Sequence, residues 1–318
     1  MAARLAGEGI RVRGHGRDAM KGRILHETLG VEFIRGDLSD LALMIQACEG
    51  VDTVFHAGAL SSPWGAPSDF VKANVEGTRA VLAAACRAGV GRLVHVSTPS
   101  LYFRHGGGVM VREDAVQPPP VNEYVRTKRI AEILVQEAGG TGLETVMLRP
   151  RALIGAGDPS ILPRLVRALV KGRLPIIGDG QNLTDLTCVE NVAQALVLAA
   201  VMPAERVAGK VFNVTNGEPV LLWPVVAELA RELGLPGPHR RIPRGVAMGL
   251  AGILECAGRL TGKEPLLTKY GVNVLAASQT LDISAARRNL AYSPEVPVAD
   301  GLRRFLKWWK AGAGYPFF

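Results

Sequence analysis

One stretch narrows what this chain can fold into more than any other. The apolar run Leu93-Val94-His95-Val96 ends in Ser97-Thr98-Pro99-Ser100-Leu101-Tyr102, and after a Gly- and Pro-broken loop Tyr124-Val125-Arg126-Thr127-Lys128 opens a helical pattern. A short apolar run of this kind reads as a buried parallel strand. Its hydroxyl-bearing end then lies at the carboxyl edge of a sheet, where open α/β folds keep their ligands. Residues four apart share a helix face, so the Tyr124 phenol and the Lys128 ammonium stand side by side. A phenol titrates near pH ~10. A neighbouring fixed cation favours the phenolate and moves the group toward general acid-base work. A Tyr-x-x-x-Lys by itself is more often an ordinary amphipathic face. Here it has ordered company, with a Ser-Thr strand end upstream and an Arg149-Pro150 strand end downstream.

With these residues in this order, the chain resembles the extended short-chain dehydrogenase/reductase family from about Ala2 to its end. The resemblance implies a catalytic set of Thr98, Tyr124 and Lys128, with Ser97 as the neighbouring candidate for the hydroxyl role. Ser100 is expected at the substrate. The implied fold is a Rossmann-like doubly wound parallel sheet, truncated at its N-terminus, with a smaller, mostly helical C-terminal substrate lobe. The expected division is 1–155 plus about 186–215 for the NAD(P)-binding domain, and 156–185 plus 216–318 for the lobe.

Met1 to Glu8 reads as the end of a helix stopped by Gly9, with a strand at Ile10-Arg11-Val12-Arg13. A dinucleotide fold needs an earlier strand and a Gly-rich turn to hold the pyrophosphate. Against the family pattern, Met1 falls inside the first helix and both are missing. The expectation is a start assigned too late, with true truncation as the competing explanation. The chain made as written would bind its cofactor weakly.

Arg17 follows the second family strand, where a basic residue pairs with the extra phosphate of NADP and an acidic one with the free ribose of NAD. The expectation is therefore NADP, with NAD as the alternative. Val31 to Arg35 is the next strand. At its exit the resemblance sets Asp37 and Leu38 by the adenine, and Asp37 or Ser39 also suits a helix N-cap. Val51 to His56 is followed by Ala57-Gly58-Ala59, small enough for a dinucleotide to lie on the backbone. His56 reads as packed rather than catalytic. Asn74-Val75-Glu76-Gly77-Thr78 resembles a family segment whose Asn braces the strand ends. Leu143 to Pro150 leads into Arg151-Ala152-Leu153-Ile154-Gly155, and the backbone near Pro150 is expected at the nicotinamide. Arg151 suits either a substrate carboxylate or a surface salt bridge.

The rest of the chain reads as a helix over Ile161 to Val170, a strand at Leu174 to Ile177, a helix over Asn191 to Ala200 and a strand at Val211 to Val214. A closing amphipathic helix runs from Val298 to Trp309. Val246 to Leu260 is apolar almost all round and too short to span a bilayer. It suits a buried or dimer-contact helix, a helix lying in a membrane interface, or the lining of an entry for a greasy substrate. The net charge is +8, but the basic residues are spread without aromatic interleaving, which argues against nucleic acid. Cys48, Cys86, Cys188 and Cys256 lack metal-ligand spacing and read as buried thiols of a reducing compartment. No metal is expected. The expected location is cytoplasmic with peripheral membrane contact through 246–260, and a homodimer follows by analogy only.

The Arg149 to Gly155 segment lacks the Asn that nucleotide-sugar enzymes of the family usually show there. It looks more like the branch with 3β-hydroxysteroid dehydrogenases and 2-alkyl-3-ketoalkanoate reductases. The expected activity is NAD(P)-dependent interconversion of a hydroxyl and a ketone on a lipophilic substrate, either sterol-like or a long-chain β-keto acid. A nucleotide-sugar epimerase/dehydratase is the alternative within the family. A non-catalytic dinucleotide sensor or truncated pseudo-enzyme is the alternative outside catalysis.

Overall fold

The computed structural model describes residues 1–140, 142–158, 160–172 and 174–313. Its N-terminal half alternates strand and helix: α1 (Ala2–Gly7), β1 (Arg13–Gly16), α2 (Ala19–Leu29), β2 (Glu32–Arg35), α3 (Leu41–Cys48) and β3 (Thr53–His56). Then come α4 (Pro67–Phe70), a π-helical segment (Val71–Glu76), α5 (Gly77–Arg87), β4 (Arg92–Val96) and a 3₁₀ turn (Pro99–Tyr102). After these come β5 (Gly108–Val111), α6 (Glu123–Ala138) and β6 (Glu144–Pro150).

The second half holds β7 (Leu153–Ile154), α7 (Ile161–Val170), β8 (Ile176–Ile177), β9 (Leu183–Thr184), β10 (Thr187–Cys188), α8 (Val189–Val201) and α9 (Ala204–Val207). It continues through β11 (Val211–Val214), β12 (Val220–Leu221), α10 (Leu222–Glu232), β13 (Arg241–Ile242) and α11 (Arg244–Thr261). The chain ends with α12 (Lys269–Ala276), β14 (Gln279–Leu281), α13 (Ser284–Leu290), α14 (Val298–Trp308) and a short π-helical tail.

The main sheet is parallel in the order β11-β6-β4-β3, and β1 pairs in parallel with β2 in a separate ladder. Arg13 fastens that second ladder to the rest. Its guanidinium donates to the carbonyls of Ala47 (3.1 Å) and Glu49 (2.8 Å) and pairs with Glu32 at 2.9 Å. Both faces of the main sheet are covered, as an all-parallel sheet requires. Val81, Ala84, Ala85 and Val135 from α5 and α6 cover one face, and Val192, Leu196, Ala286 and Leu290 from α8 and α13 cover the other. The α/β Rossmann-like architecture expected from the residues is the one observed.

Several local expectations give way. The strand expected at 10–13 starts at Arg13, because Ile10 still donates to the Leu5 carbonyl and closes the α1 turn over left-handed Gly9. Residues 108–111, read as loop, form β5, which joins β12, β9 and β14 in a small four-stranded sheet of the lobe. Residues 284–292, assigned to the lobe, bury Ala286, Leu290 and Tyr292 against β11 and α8. Asp40, not Asp37 or Ser39, is the N-cap of α3, while Asp37 receives the Ser39 amide and hydroxyl in the turn before it. Cys48 and Cys188 are buried, but Cys86 and Cys256 are exposed, so burial does not hold for all four thiols.

A further cluster unites β7, α7, β10 and α14, with Ile154, Leu162, Cys188, Phe305 and Trp309 all buried. Gly301 makes this closure possible, since a Cβ there would sit 2.4 Å from Cys188 Sγ.

Candidate active site

β4 ends at Val96, and Ser97 continues it by donating its amide to Leu148 of β6. Thr98 then caps the 3₁₀ turn, its Oγ1 accepting from the Ser100 amide at 3.2 Å. This places the Thr98 hydroxyl at the carboxyl edge of the sheet, 3.0 Å from Ser100 Oγ. Opposite it, Asn122 caps α6 through the Val125 amide and fixes Tyr124 in the first turn. Thr98 and Ser61 lie close enough to the Tyr124 hydroxyl to act on its ionisation, so two of the expected catalytic groups are neighbours. Ser97, the alternative, has its hydroxyl buried with no hydrogen-bond partner among the described residues.

Lys128 is buried one turn along α6, and its ammonium donates to the Val96 carbonyl at 2.7 Å and lies 3.1 Å from His95 Nε2. Desolvation pushes its pKa down to about 8. The phenol behaves differently from the expectation. Burial raises the Tyr124 pKa, and the hydrogen bonds from Thr98 and Ser61 only partly offset this. The expected lowering by Lys128 is not found, because the ammonium is committed to the end of β4.

The His95 and His56 rings meet at 4.9 Å, tilted by 45°, both buried and both held neutral by desolvation. His56 Nε2 meets Thr78 Oγ1 at 2.9 Å, so its ring is a packing group and only its backbone can face a cofactor. Asn74 braces the edge: its side-chain oxygen accepts from the Leu60 amide at 2.7 Å and its amide donates to Thr127 Oγ1 at 3.0 Å. Pro150 is buried at the end of β6.

Ala57, Gly58 and Ala59 are exposed beyond β3. A Cβ at Gly58 would lie 3.0 Å from Leu38 Cδ2, which makes this edge a shallow cradle that a side chain would fill. Arg17 is exposed at the end of β1, with Arg35 donating to its carbonyl at 3.3 Å and Asp37 close enough to feel its charge. Asp18, the nearby acid, is spent as the N-cap of α2 on the Met20 and Lys21 amides. The residues present suit a dinucleotide in chemistry: the small backbone by Leu38 would take its adenine end, and Tyr124 and Lys128 would lie toward its nicotinamide end.

Arg151 is not a surface ion-pair residue. The residue is partly buried, its Nε has no hydrogen-bond partner among the described residues, and Asp185 is close enough for its charge to act on the guanidinium. Burial lowers its pKa, while Tyr270 and Asp185 oppose that shift. Tyr270, from α12 of the lobe, also hydrogen-bonds Ser100 at 2.9 Å and lies against Phe103 at 4.9 Å. A cleft of about 300 Å³ opens beside this group between the 3₁₀ turn, β5 and β14, and Pro99 and Arg151 line its near wall. The reacting groups themselves lie outside it.

Tyr270, Ser61 and His95 are site residues that sequence reasoning missed. Ser61 follows the small-residue exit of β3 and could have been marked by that proximity. Tyr270 carries no motif.

The family model described as "3-beta hydroxysteroid dehydrogenase/isomerase family" matches residues 12–244. A 2-alkyl-3-oxoalkanoate reductase of Stenotrophomonas maltophilia is 40% identical over 292 residues, covering 87% of this chain and 86% of that protein. The mouse (Mus musculus) decarboxylating sterol-4-alpha-carboxylate 3-dehydrogenase is 30% identical over 86% of this chain and 78% of its own length. The solved structure of MoeE5 in complex with UDP-glucuronic acid and NAD superposes with a TM-score of 0.74 at 26% identity, covering 97% of this chain and 94% of that one.

Proposed function

The chain belongs to the 3-beta hydroxysteroid dehydrogenase/isomerase family, and from that membership we propose that it is an NAD(P)-dependent reductase of long-chain 3-oxo acids. The observation that carries the reading is the approach of Thr98 to the Tyr124 hydroxyl at the sheet edge, with a partly buried Arg151 near Tyr270, which in turn reaches Thr98 through Ser100. The bound dinucleotide supplies or accepts the hydride. Thr98 holds the substrate oxygen, and Tyr124 moves the proton between its phenol and that oxygen. Lys128, fixed by Val96 and His95, sets a positive charge under the nicotinamide end.

Arg151 supports the acid. A partly buried guanidinium whose Nε has no hydrogen-bond partner among the described residues can take a substrate carboxylate, which accepts its fork in two parallel bonds. Two relatives are named for substrates whose carboxylate is one carbon removed from the carbon that reacts, which fits that role. Arg17 and Arg35 side by side, with Asp18 engaged elsewhere, support NADP over NAD.

The test is NADPH and NADH oxidation with a long-chain 2-alkyl-3-oxo acid, its methyl ester, a 3-ketosteroid and a nucleotide sugar. Turnover of the acid with NADPH, well above that of the ester, is expected. Turnover of the nucleotide sugar alone would replace this reading with the epimerase/dehydratase one.

A further inference from the structure

Helix α11 runs from Arg244 to Thr261, 18 residues or about 27 Å, and only one side of it is covered. Ala247, Ala251 and Gly258 are buried, the two alanines within the cluster formed by Leu169, Val226 and Val272. The other side shows Val246 (62% exposed), Leu250 (46%), Ile253 (69%) and Leu260 (84%). At 3.6 residues per turn these four form one stripe, with Gly249, Cys256 and Ala257 exposed within it. The helix's charged residues, Arg244, Glu255 and Arg259, all fall off the stripe. Leu266, 84% exposed, extends the apolar surface past the helix end.

Both ends of the stripe are basic. Arg240 and Arg241 are exposed before it, and Arg259 and Lys263 are exposed at its end. Glu264, the acid nearby, pairs with Arg164 at 3.7 Å. A second copy seated on this stripe about a twofold axis would set basic end against basic end, in either parallel or antiparallel pairing. A bilayer carrying anionic headgroups satisfies both ends and takes the apolar stripe between them. Among the described residues no helix is long and apolar enough to cross a membrane, so this one would lie in the interface.

The stripe adjoins the chemistry. Arg244 donates to Asn273 Oδ1 at 2.6 Å and Glu255 accepts from the Lys269 amide at 2.7 Å, tying α11 to the helix that carries Tyr270. Gly258 backs onto Trp64, where a Cβ would come within 3.1 Å of the indole, in the loop that brings Ser61 to Tyr124.

We infer that α11 is an interfacial docking helix for an anionic phospholipid surface, opening the lobe side of the active site toward the bilayer. The docking stands independently of which substrate the site reduces, and its test reads binding rather than turnover. The full chain is sedimented with vesicles of phosphatidylcholine alone and of phosphatidylcholine mixed with phosphatidylglycerol. It is expected to pellet with the mixed vesicles. Ile253→Asp with Leu260→Asp should weaken that partition about tenfold or more, since it removes two apolar anchors and adds repulsion. Arg240→Glu with Arg241→Glu should abolish the preference for phosphatidylglycerol, and Val109→Asp, on another exposed surface, should change nothing. An Ile253→Trp variant, which keeps the stripe apolar, should blue-shift on the mixed vesicles and be quenched by lipid brominated near the headgroup. Wild-type chain that stays in the supernatant with both vesicles overturns the proposal. So does a solution dimer that the Ile253→Asp, Leu260→Asp chain converts to monomer, since that would assign the stripe to self-association.

Discussion

The Lys128 ammonium lies 2.7 Å from the Val96 carbonyl, which fixes a buried cation at the end of a central strand. Desolvation holds its pKa at about 8, well below an ordinary lysine. As pH rises through that value the active site loses the Lys128 charge, so kcat/KM should fall on an alkaline limb near pH 8. Tyr124, raised above its usual range, would titrate later. Stability should move the other way. Between about pH 8 and about pH 10 the unfolded chain holds the lysine proton that the folded chain has released, so unfolding free energy rises with pH. A pH series of kcat/KM and of thermal midpoint, repeated on Lys128→Met, checks both signs. A variant that keeps the alkaline limb would remove Lys128 from the role.

Tyr124→Phe deletes the phenolic proton proposed to pass to a substrate oxygen held by Thr98. Turnover should drop by roughly a hundredfold or more, while the thermal midpoint stays within a few degrees because the ring is kept. Steady-state rates on a good substrate decide this, and near-normal turnover would exclude the phenol from proton transfer.

Arg151→Leu replaces the partly buried guanidinium with an apolar group. KM for an acid substrate should rise about tenfold or more, while KM for its methyl ester is unchanged or falls, since the lost interaction is charge-assisted. Equal effects on both substrates would leave Arg151 a packing residue.

Arg17→Ala with Arg35→Ala should raise KM for NADPH and leave KM for NADH nearly unmoved, because only the extra phosphate loses its partners. Parallel changes for both cofactors would contradict the assignment of this pair to the phosphate.

Arg149 makes a paired contact with Glu132, at 2.7 and 2.5 Å, both side chains buried, and stacks over the Tyr102 ring at 4.9 Å. Removing one partner strands the other charge, so Arg149→Met should cost about 3–5 kcal/mol of unfolding free energy by denaturant titration. The double change Arg149→Met, Glu132→Leu should recover part of that loss.

The parallel strands and the Thr98–Tyr124 meeting were legible because both depend on local pattern: an apolar run that stops in hydroxyls, and a helix whose first turn holds the phenol. The direction of the Lys128 side chain was not. Helical spacing sets where its Cα lies, but the ammonium goes to the nearest buried acceptors, and those are supplied by β4. Tyr270 was invisible for a related reason, since it reaches Ser100 only when the lobe folds back over the sheet edge. Arg151 was left between two roles because nothing local in its segment shows that its Nε is turned inward. His56 was read correctly as packed, since a ring at the end of a buried strand meets the helix behind it before it meets solvent.

Helix α14 has a consequence for how the protein is made. Phe305 and Trp309 complete a cluster begun by Ile154 and Leu162, and Gly301 is seated at contact distance on Cys188. During synthesis the greasy faces of β7 and α7 therefore wait, uncovered, until residues 298–309 have left the ribosome. Nascent chains stalled before residue 298 should depend on holdase chaperones, and fragments cut there should be recovered from inclusion bodies rather than as folded lobes.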